Sequence, residues 1–322
     1  MYKYKLLVTA RSFAKYDAEP IKRLEAHSIE VVRPSISGPF DEAGLIKVIE
    51  TAGQMDALMV GNDDVTDEVI QKLLPRTKII SRYGIGIDNI DVQAAAKSGI
   101  AVTNTPGAND KSVADLAMGF VISCARSLPQ QMMSVQEGSW DRKAGVELDG
   151  KVLGIIGMGR IGKGLARRAR AFGMKVIGFD KYWDVAFAEG NEIAFKSIEE
   201  ILRVSDFVSL HVPATEETEN LINEASLATM KRGASIINTA RGELIDEKAL
   251  ADAVKTKRIK AAAVDVTRNE PPVGSPLLGV ADILITPHIG ANTEDAGKSM
   301  STIAADNVID MLIGGRCANR VG

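Results

Sequence analysis

The chain has 322 residues, a formal net charge of −3, 45% hydrophobic and 25% charged residues. That length allows two domains, each with its own core, and the near-balanced charge excludes a broad basic surface for nucleic acid or an anionic membrane. The two cysteines, Cys124 and Cys317, and the three histidines show no metal-ligand spacing, so no metal site is expected. A reducing, cytoplasmic setting fits such sparse cysteine. No apolar run approaches the roughly 20 residues that a membrane helix needs.

The opening MYKYKLLVTARS reads as a first strand rather than a signal peptide. Strands KLLVTA, EVVRP, ALMVG, KIIS and IAVTN then alternate with helix patterns near Asp17–Ala26, Asp41–Ala52, Asp67–Leu74 and Asp91–Lys97. Strict alternation predicts a parallel sheet with helices on both faces, closing one domain near residue 105. Within it, Gly84-Ile85-Gly86 follows KIIS but lacks a third glycine, since Asn89 stands there. Its N–H groups suit a small anion such as a carboxylate, and a simple turn is the equal alternative.

Pro106-Gly107 breaks the chain before NDKSVADLAMGFVISCARSL, a long helix, apolar around much of its circumference, with Asn109 or Asp110 as candidate caps. Such a helix is expected to be buried between domains or against another subunit. The polar stretch around Trp140 reads equally as an arm reaching a partner subunit and as a surface loop. Cys124, in GFVISCA, reads as a small buried hydrophobe.

A second alternating series starts at Lys151: VLGIIG, KVIGFD, DFVSLHV, ASIIN, AAAVD and DILIT. A final helix near Glu294–Leu312 follows it and is expected to return to the first domain. The first strand of this series runs into Gly157-Met158-Gly159-Arg160-Ile161-Gly162, a helix follows, and the next strand ends at Asp180. A lone GxGxxG is weak, but a strand before it, a helix after it and an acid about 20 residues on make a dinucleotide fingerprint. Gly157 permits the tight turn, Gly159 the approach of a diphosphate, and Gly162 close helix–strand packing. The helix start at Arg160, Ile161 and Gly162 offers free N–H groups and partial positive charge. Asp180 accepts from ribose hydroxyls and repels a 2′-phosphate, which favours NAD over NADP; Lys181 weakens that exclusion slightly.

Three strand ends then carry reactive groups: Arg241 after ASIIN, Glu270 after AAAVD and His288 after DILIT. Open α/β sheets place ligands at such ends. Hydride transfer from a 2-hydroxy acid also requires a proton to leave its oxygen. His288 titrates in the right range for that task. A carboxylate at Glu270 favours the imidazolium and fixes the ring. Arg241 offers a planar fork to a substrate carboxylate. His211 reads as structural or cofactor-side.

GMGRIG, HVPATEET, NTARGELID, DVTRNEP and TPHIGA, in that order, resemble the D-isomer-specific 2-hydroxyacid dehydrogenases, and the resemblance covers essentially the whole chain. It implies an α/β fold of two domains. Residues 1–104 with 291–322 form a flavodoxin-like substrate domain, and 105–290 a Rossmann-type NAD domain with a dimerisation helix and arm at about 109–150. It implies a homodimer and a hinge near 104 and 290. Arg241, Glu270 and His288 become the catalytic set, with His288 as the proton relay in the cleft. Asp265 holds the nicotinamide amide, while His211, Val212, Pro213, Thr218, Thr239, Ala240 and Gly290 meet the cofactor. Arg82, Tyr83, Gly84, Ile85 and Gly86, with Arg241 and His288, meet the substrate.

SRYGIGIDNID and Arg82 look closest to the phosphoglycerate dehydrogenase branch, which makes 3-phosphoglycerate and 3-phosphohydroxypyruvate the expected pair. Against it, Val60-Gly61-Asn62-Asp63-Asp64 lacks a phosphate-binding arginine and carries two carboxylates. Glycerate with hydroxypyruvate is the alternative. Feedback control through a C-terminal regulatory domain is not expected. An NADH-responsive binding scaffold of the same fold is the remote alternative, opposed by the filled catalytic positions.

Overall fold

A computed structural model describes residues 2–36 and 38–321. The chain divides into two units, Met1–Asn109 with Asn292–Gly322, and Asp110–Ala291.

The first unit begins β1 (Tyr4–Val8), α1 (Glu19–Ala26), β2 (Ile29–Val32), α2 (Glu42–Ala52), β3 (Ala57–Val60), α3 (Asp67–Leu73), β4 (Ile79–Arg82), α4 (Val92–Lys97) and β5 (Ala101–Thr103). Local side chains set the helix starts. Asp41 accepts from Gly44 N–H at 2.8 Å, Asp91 from Ala94 N–H at 2.8 Å, and Thr66 from Val69 N–H at 3.4 Å. Asp17 does not open α1. Its carboxylate accepts from Glu19 N–H at 2.9 Å, so the helix starts two residues later than its sequence pattern suggests.

The second unit runs α5 (Asp110–Arg126), α6 (Leu128–Gln136), β6 (Val152–Ile156), α7 (Arg160–Ala171), β7 (Lys175–Phe179), α8 (Val185–Gly190), β8 (Ala194–Phe195), α9 (Ile198–Val204), β9 (Phe207–Leu210), α10 (Glu224–Thr229), β10 (Ser235–Asn238), a 3-10 turn at Gly242–Leu244, α11 (Glu247–Lys255), β11 (Ala261–Val264) and β12 (Ile283–Ile285). Its strand order is β12-β11-β10-β9-β6-β7-β8, all parallel. This is the doubly wound dinucleotide-binding order, whose topological switch point lies between β6 and β9. Strands β9, β10 and β11 are buried at every residue, which explains why they are largely apolar on both faces instead of alternating.

Helix α5 corrects one expectation. It buries Val113, Ala114, Ala117, Met118, Phe120, Val121, Cys124 and Ala125, and from Ala117 onward these join the core of its own unit with Leu153, Ile155, Leu165 and Ala263. Gly164 of α7 lets that helix close on α5; a Cβ there would stand 3.0 Å from Ala114 Cβ.

The chain then returns to the first unit. Helix α12 (Glu294–Gly314), capped by Thr293, packs on β4 and α1, and β13 (Arg320–Val321) completes the sheet. That sheet has order β13-β5-β4-β3-β1-β2, parallel except for β13, which runs antiparallel to β5. Without β13 the order is the flavodoxin-like one, with its switch point between β1 and β3. Among the described residues, no helix is long and apolar enough to cross a membrane.

Candidate active site

In the second unit, the glycine turn leaves β6 and enters α7 at the switch point. Gly157 has φ 102°, and a Cβ there would lie 2.4 Å from His211 O. A Cβ on Gly162 would lie 2.1 Å from Gly157 O, whereas one on Gly159 would meet nothing within 4 Å. Two glycines are therefore required by packing, and the third opens onto free space. Gly159 is also the N-cap of α7 and supplies no side chain, so the first turn at Arg160, Ile161 and Gly162 has no side-chain cap. These features fit a diphosphate.

At the end of β7, Asp180 Oδ1 accepts from Tyr182 N–H at 2.8 Å, which orients the carboxylate. The Lys181 ammonium forms an ion pair with Glu217, so a lysine that the sequence sets against NAD selectivity is engaged elsewhere. Beyond β9, Thr218 braces the His211–Asn220 loop: its hydroxyl donates to Pro213 O at 2.7 Å and accepts from Thr215 N–H at 2.8 Å. Val212 Cγ1 would stand 3.0 Å from a Cβ on Gly157. His211 Nε2 pairs with Ser209 Oγ at 2.9 Å. Although the residue is only half-buried overall, its Nδ1 is shut off from solvent, and burial lowers the imidazole pKa to about 4. His211 Nδ1 and Thr239 Oγ1 are buried without a hydrogen-bond partner among the described residues. Unpaired buried polar atoms at adjacent strand ends fit a cofactor that supplies the missing partners.

The three reactive residues follow β10, β11 and β12. Buried Asn238 shapes the first turn, accepting from Ala240 N–H at 3.0 Å and donating to Arg241 O at 2.7 Å. Arg241 Nη1 donates to Ala240 O at 2.7 Å. Gly242 lets this turn close on the next loop; a Cβ there would come within 2.1 Å of Thr267 C. In that loop, Glu270 Oε1 accepts from Thr267 N–H at 3.4 Å, and Glu270 Oε2 lies 2.7 Å from His288 Nδ1.

His288 has φ 52°, left-handed backbone that a non-glycine residue adopts at a cost. Asp265, 2% exposed, holds it there. Asp265 Oδ1 accepts from Thr286 Oγ1 at 2.5 Å and from Ile289 N–H at 2.8 Å, while Oδ2 accepts from Gly290 N–H at 2.7 Å. His288 N–H donates to Asp265 O at 3.0 Å. This bracing of the turn went unseen in the sequence, where the resemblance assigned Asp265 to the nicotinamide amide; both of its carboxylate oxygens are taken up by the turn itself. With Nδ1–H given to Glu270, the imidazole keeps Nε2 for proton exchange. Both side chains are about 40% exposed, at 42% and 38%, so the pair is open to a ligand.

In the first unit, loop 84–86 follows β4. Gly84 has φ 142°. Arg82 does not extend as a separate anion hook: Nη1 donates to Tyr83 O at 2.7 Å, Nε to Gly86 O at 2.8 Å and Nη2 to Asn62 Oδ1 at 2.8 Å. The Tyr83 hydroxyl turns into the core and donates to Gly297 O at 3.0 Å, so its ring serves the fold. Asp63 is 1% exposed and accepts from Thr9 Oγ1, Phe40 N–H and Gly61 N–H at 2.6, 2.9 and 3.0 Å. One of the two carboxylates weighed against a phosphate is thus a buried staple between loops.

A switch-point glycine turn, an acid on the neighbouring strand and a histidine–carboxylate pair define a dinucleotide-dependent dehydrogenase class. Residues 118–290 match the family described as D-isomer specific 2-hydroxyacid dehydrogenase, NAD binding domain. A D-3-phosphoglycerate dehydrogenase from Methanocaldococcus jannaschii is 46% identical over 285 residues, 86% of this chain and 54% of that protein. A hydroxypyruvate reductase from Thermotoga maritima is 43% identical over 83% of this chain and 87% of its own. A solved structure from Thermus thermophilus superposes with a TM-score of 0.88 at 34% identity, covering 99% of this chain and 100% of that one. The chain spans about half the length of most of the curated relatives it matches. It belongs to the D-isomer-specific 2-hydroxyacid dehydrogenase family, with NAD as its cofactor.

Proposed function

We propose that the protein interconverts a D-2-hydroxy acid and its 2-keto acid, with 3-phosphoglycerate and 3-phosphohydroxypyruvate as the pair. The observation that carries the reaction is the 2.7 Å contact between His288 Nδ1 and Glu270 Oε2. Bound NAD supplies the hydride acceptor, and its reduced form the hydride. His288 Nε2 takes the hydroxyl proton in oxidation and returns it to the carbonyl oxygen in reduction. Glu270 accepts from Nδ1–H and so fixes the tautomer and the orientation of the ring. Arg241 offers its fork to the developing carbonyl and the carboxylate, and the N–H groups of loop 84–86 are the proposed carboxylate anchor. Asp180 favours NAD over its 2′-phosphate.

The phosphorylated pair is supported by the relative from Methanocaldococcus jannaschii and by the burial of Asp63, which removes one exposed negative charge. Hydroxypyruvate is the second reading, favoured by the hydrogen bonds that occupy the Arg82 guanidinium. NADH absorbance followed with 3-phosphohydroxypyruvate and with hydroxypyruvate decides between them. A higher kcat/KM for the phosphorylated acid is expected; a preference for hydroxypyruvate replaces it with the second reading, and turnover of neither rejects both.

The proposal includes a homodimer. Helix α6 buries none of its residues, and Met132, Met133, Val135 and Trp140 stand exposed around it, an apolar surface of the kind partners cover. The occupant is a second copy. Light scattering after gel filtration should give twice the 34.4 kDa chain mass, and a monomer at micromolar concentration rejects it. A cytoplasmic setting is also proposed, supported by two free cysteines; a secreted pool in fractionated cells would count against it.

A further inference from the structure

Loop 84–86 has an unusual anchorage within its own unit. Four consecutive carbonyls are taken: Tyr83 O by Arg82 Nη1 at 2.7 Å, Gly84 O by Thr105 N–H at 3.0 Å, Ile85 O by Asn104 Nδ2 at 2.9 Å, and Gly86 O by Arg82 Nε at 2.8 Å. In a trans peptide the C=O of one residue and the N–H of the next point in opposite directions. Fixing the carbonyls of residues 84, 85 and 86 therefore turns the N–H groups of Ile85, Gly86 and Ile87 the other way. Among the described residues those three N–H groups carry no hydrogen bond.

Asn104 is itself held. Its N–H donates to Asn319 O at 3.3 Å, and its backbone carbonyl accepts from Asn307 Nδ2 at 2.8 Å. Asn307, on α12, is 1% exposed. Its Oδ1 accepts from Cys317 Sγ at 3.0 Å and from Asn319 Nδ2 at 2.9 Å. Donor and acceptor are both in use, so neither an acid nor an apolar residue can replace this amide in place.

We propose that Asn104 and Asn307 are positioning residues that set the N–H array of loop 84–86 through a relay from the C-terminal segment. The inference rests on the reading that this loop takes the substrate carboxylate. Asn104 acts directly on the Ile85 carbonyl. Asn307 acts one step back, by fixing Asn104. Both belong to the first unit and the proton-transfer pair to the second, so binding of the acid should suffer while hydride chemistry continues.

Two isosteric variants test this on the full chain. Asn104→Asp sets an acceptor against Ile85 O, and Asn307→Asp sets one against Asn104 O. With whichever keto acid the parent enzyme reduces, each should raise KM about tenfold, leave kcat within about twofold, and leave the NADH Kd unchanged. A general loss of folded protein gives the other pattern, lower kcat at unchanged KM. If Asn307→Asp does not fold, Asn104→Asp carries the test alone, since its side chain is only part-buried. A parallel experiment adds D-glycerate to 15N-labelled parent enzyme and follows the amide signals of Ile85, Gly86 and Ile87. Shifted amides combined with unchanged KM in the Asn104 variant overturn the positioning role and leave the loop reading intact. Unshifted amides overturn the loop reading, and the relay to it with that reading.

Discussion

Two glycine loops, 157–162 in the second unit and 84–86 in the first, both present backbone N–H groups but are built differently. The first is backbone pressed on backbone: Gly157 against His211 O, and Gly162 against Gly157 O. The second is held by side chains and a neighbouring strand end, with Arg82 and Asn104 gripping its carbonyls. The nearest atoms to a Cβ on Gly84 would be those of the Arg82 guanidinium, at 3.1 Å. A loop made of backbone contacts has no room to adjust. A loop gripped by flexible side chains can give a few tenths of an ångström, so its geometry can be tuned residue by residue.

The largest expected effect breaks the rigid loop. Gly162→Ala forces a Cβ into Gly157 O and should cost roughly 3 kcal/mol or more of stability, and it should weaken NADH binding by at least about a hundredfold. Thermal unfolding and NADH fluorescence titration measure both. Parent-like affinity would mean that the turn relaxes after all.

Acid separates the loops in another way, because the rigid one leans on His211. The His211 pKa is lowered to about 4 in the fold, against about 6.5 in an unfolded chain. The unfolded state therefore binds more protons between those values. The contribution of His211 is complete above about pH 6.5 and is lost as pH falls from 6.5 towards 4, up to about 3 kcal/mol. Carboxylates titrate in the lower part of that window too, so the test is a comparison: His211→Asn should lose less Tm than the parent between pH 6.5 and 4. Parallel curves would show that His211 does not set the acid sensitivity of the fold.

Gly84→Ala should do less, about 1–2 kcal/mol from its φ of 142°. It should raise KM for the keto acid and spare NADH affinity. If NADH binding fell as far as it does with Gly162→Ala, the contrast between the loops would be wrong.

What the sequence made legible was local. Asp41 and Asp91 stand at helix starts because a cap needs only its own next three residues. The nucleotide turn was readable because its strand, helix and acid lie within one short span. That Arg241, Glu270 and His288 follow three strands of one sheet was readable too, because each lies within a few residues of its strand. Features that depend on distant partners stayed hidden. Strands β8 and β13 have two residues each and exist only through pairing. The helix α5 stripe announced burial, but the core of its own unit was not the partner expected. Arg82 was assigned to the substrate by resemblance, while its acceptors at Asn62, Tyr83 and Gly86 depend on the folded turn. Asp265 gave no sign that it braces the left-handed His288, because its donors come from a strand and turn about twenty residues on.

The central claim is that His288, oriented by Glu270, moves the proton. The most direct measurement is kcat for His288→Ala with the keto acid that the parent reduces, alongside the NADH Kd of the same preparation. An unchanged Kd is expected, with a kcat lower by about 10²-fold or more. Turnover equal to the parent, with NADH bound as tightly, would contradict it.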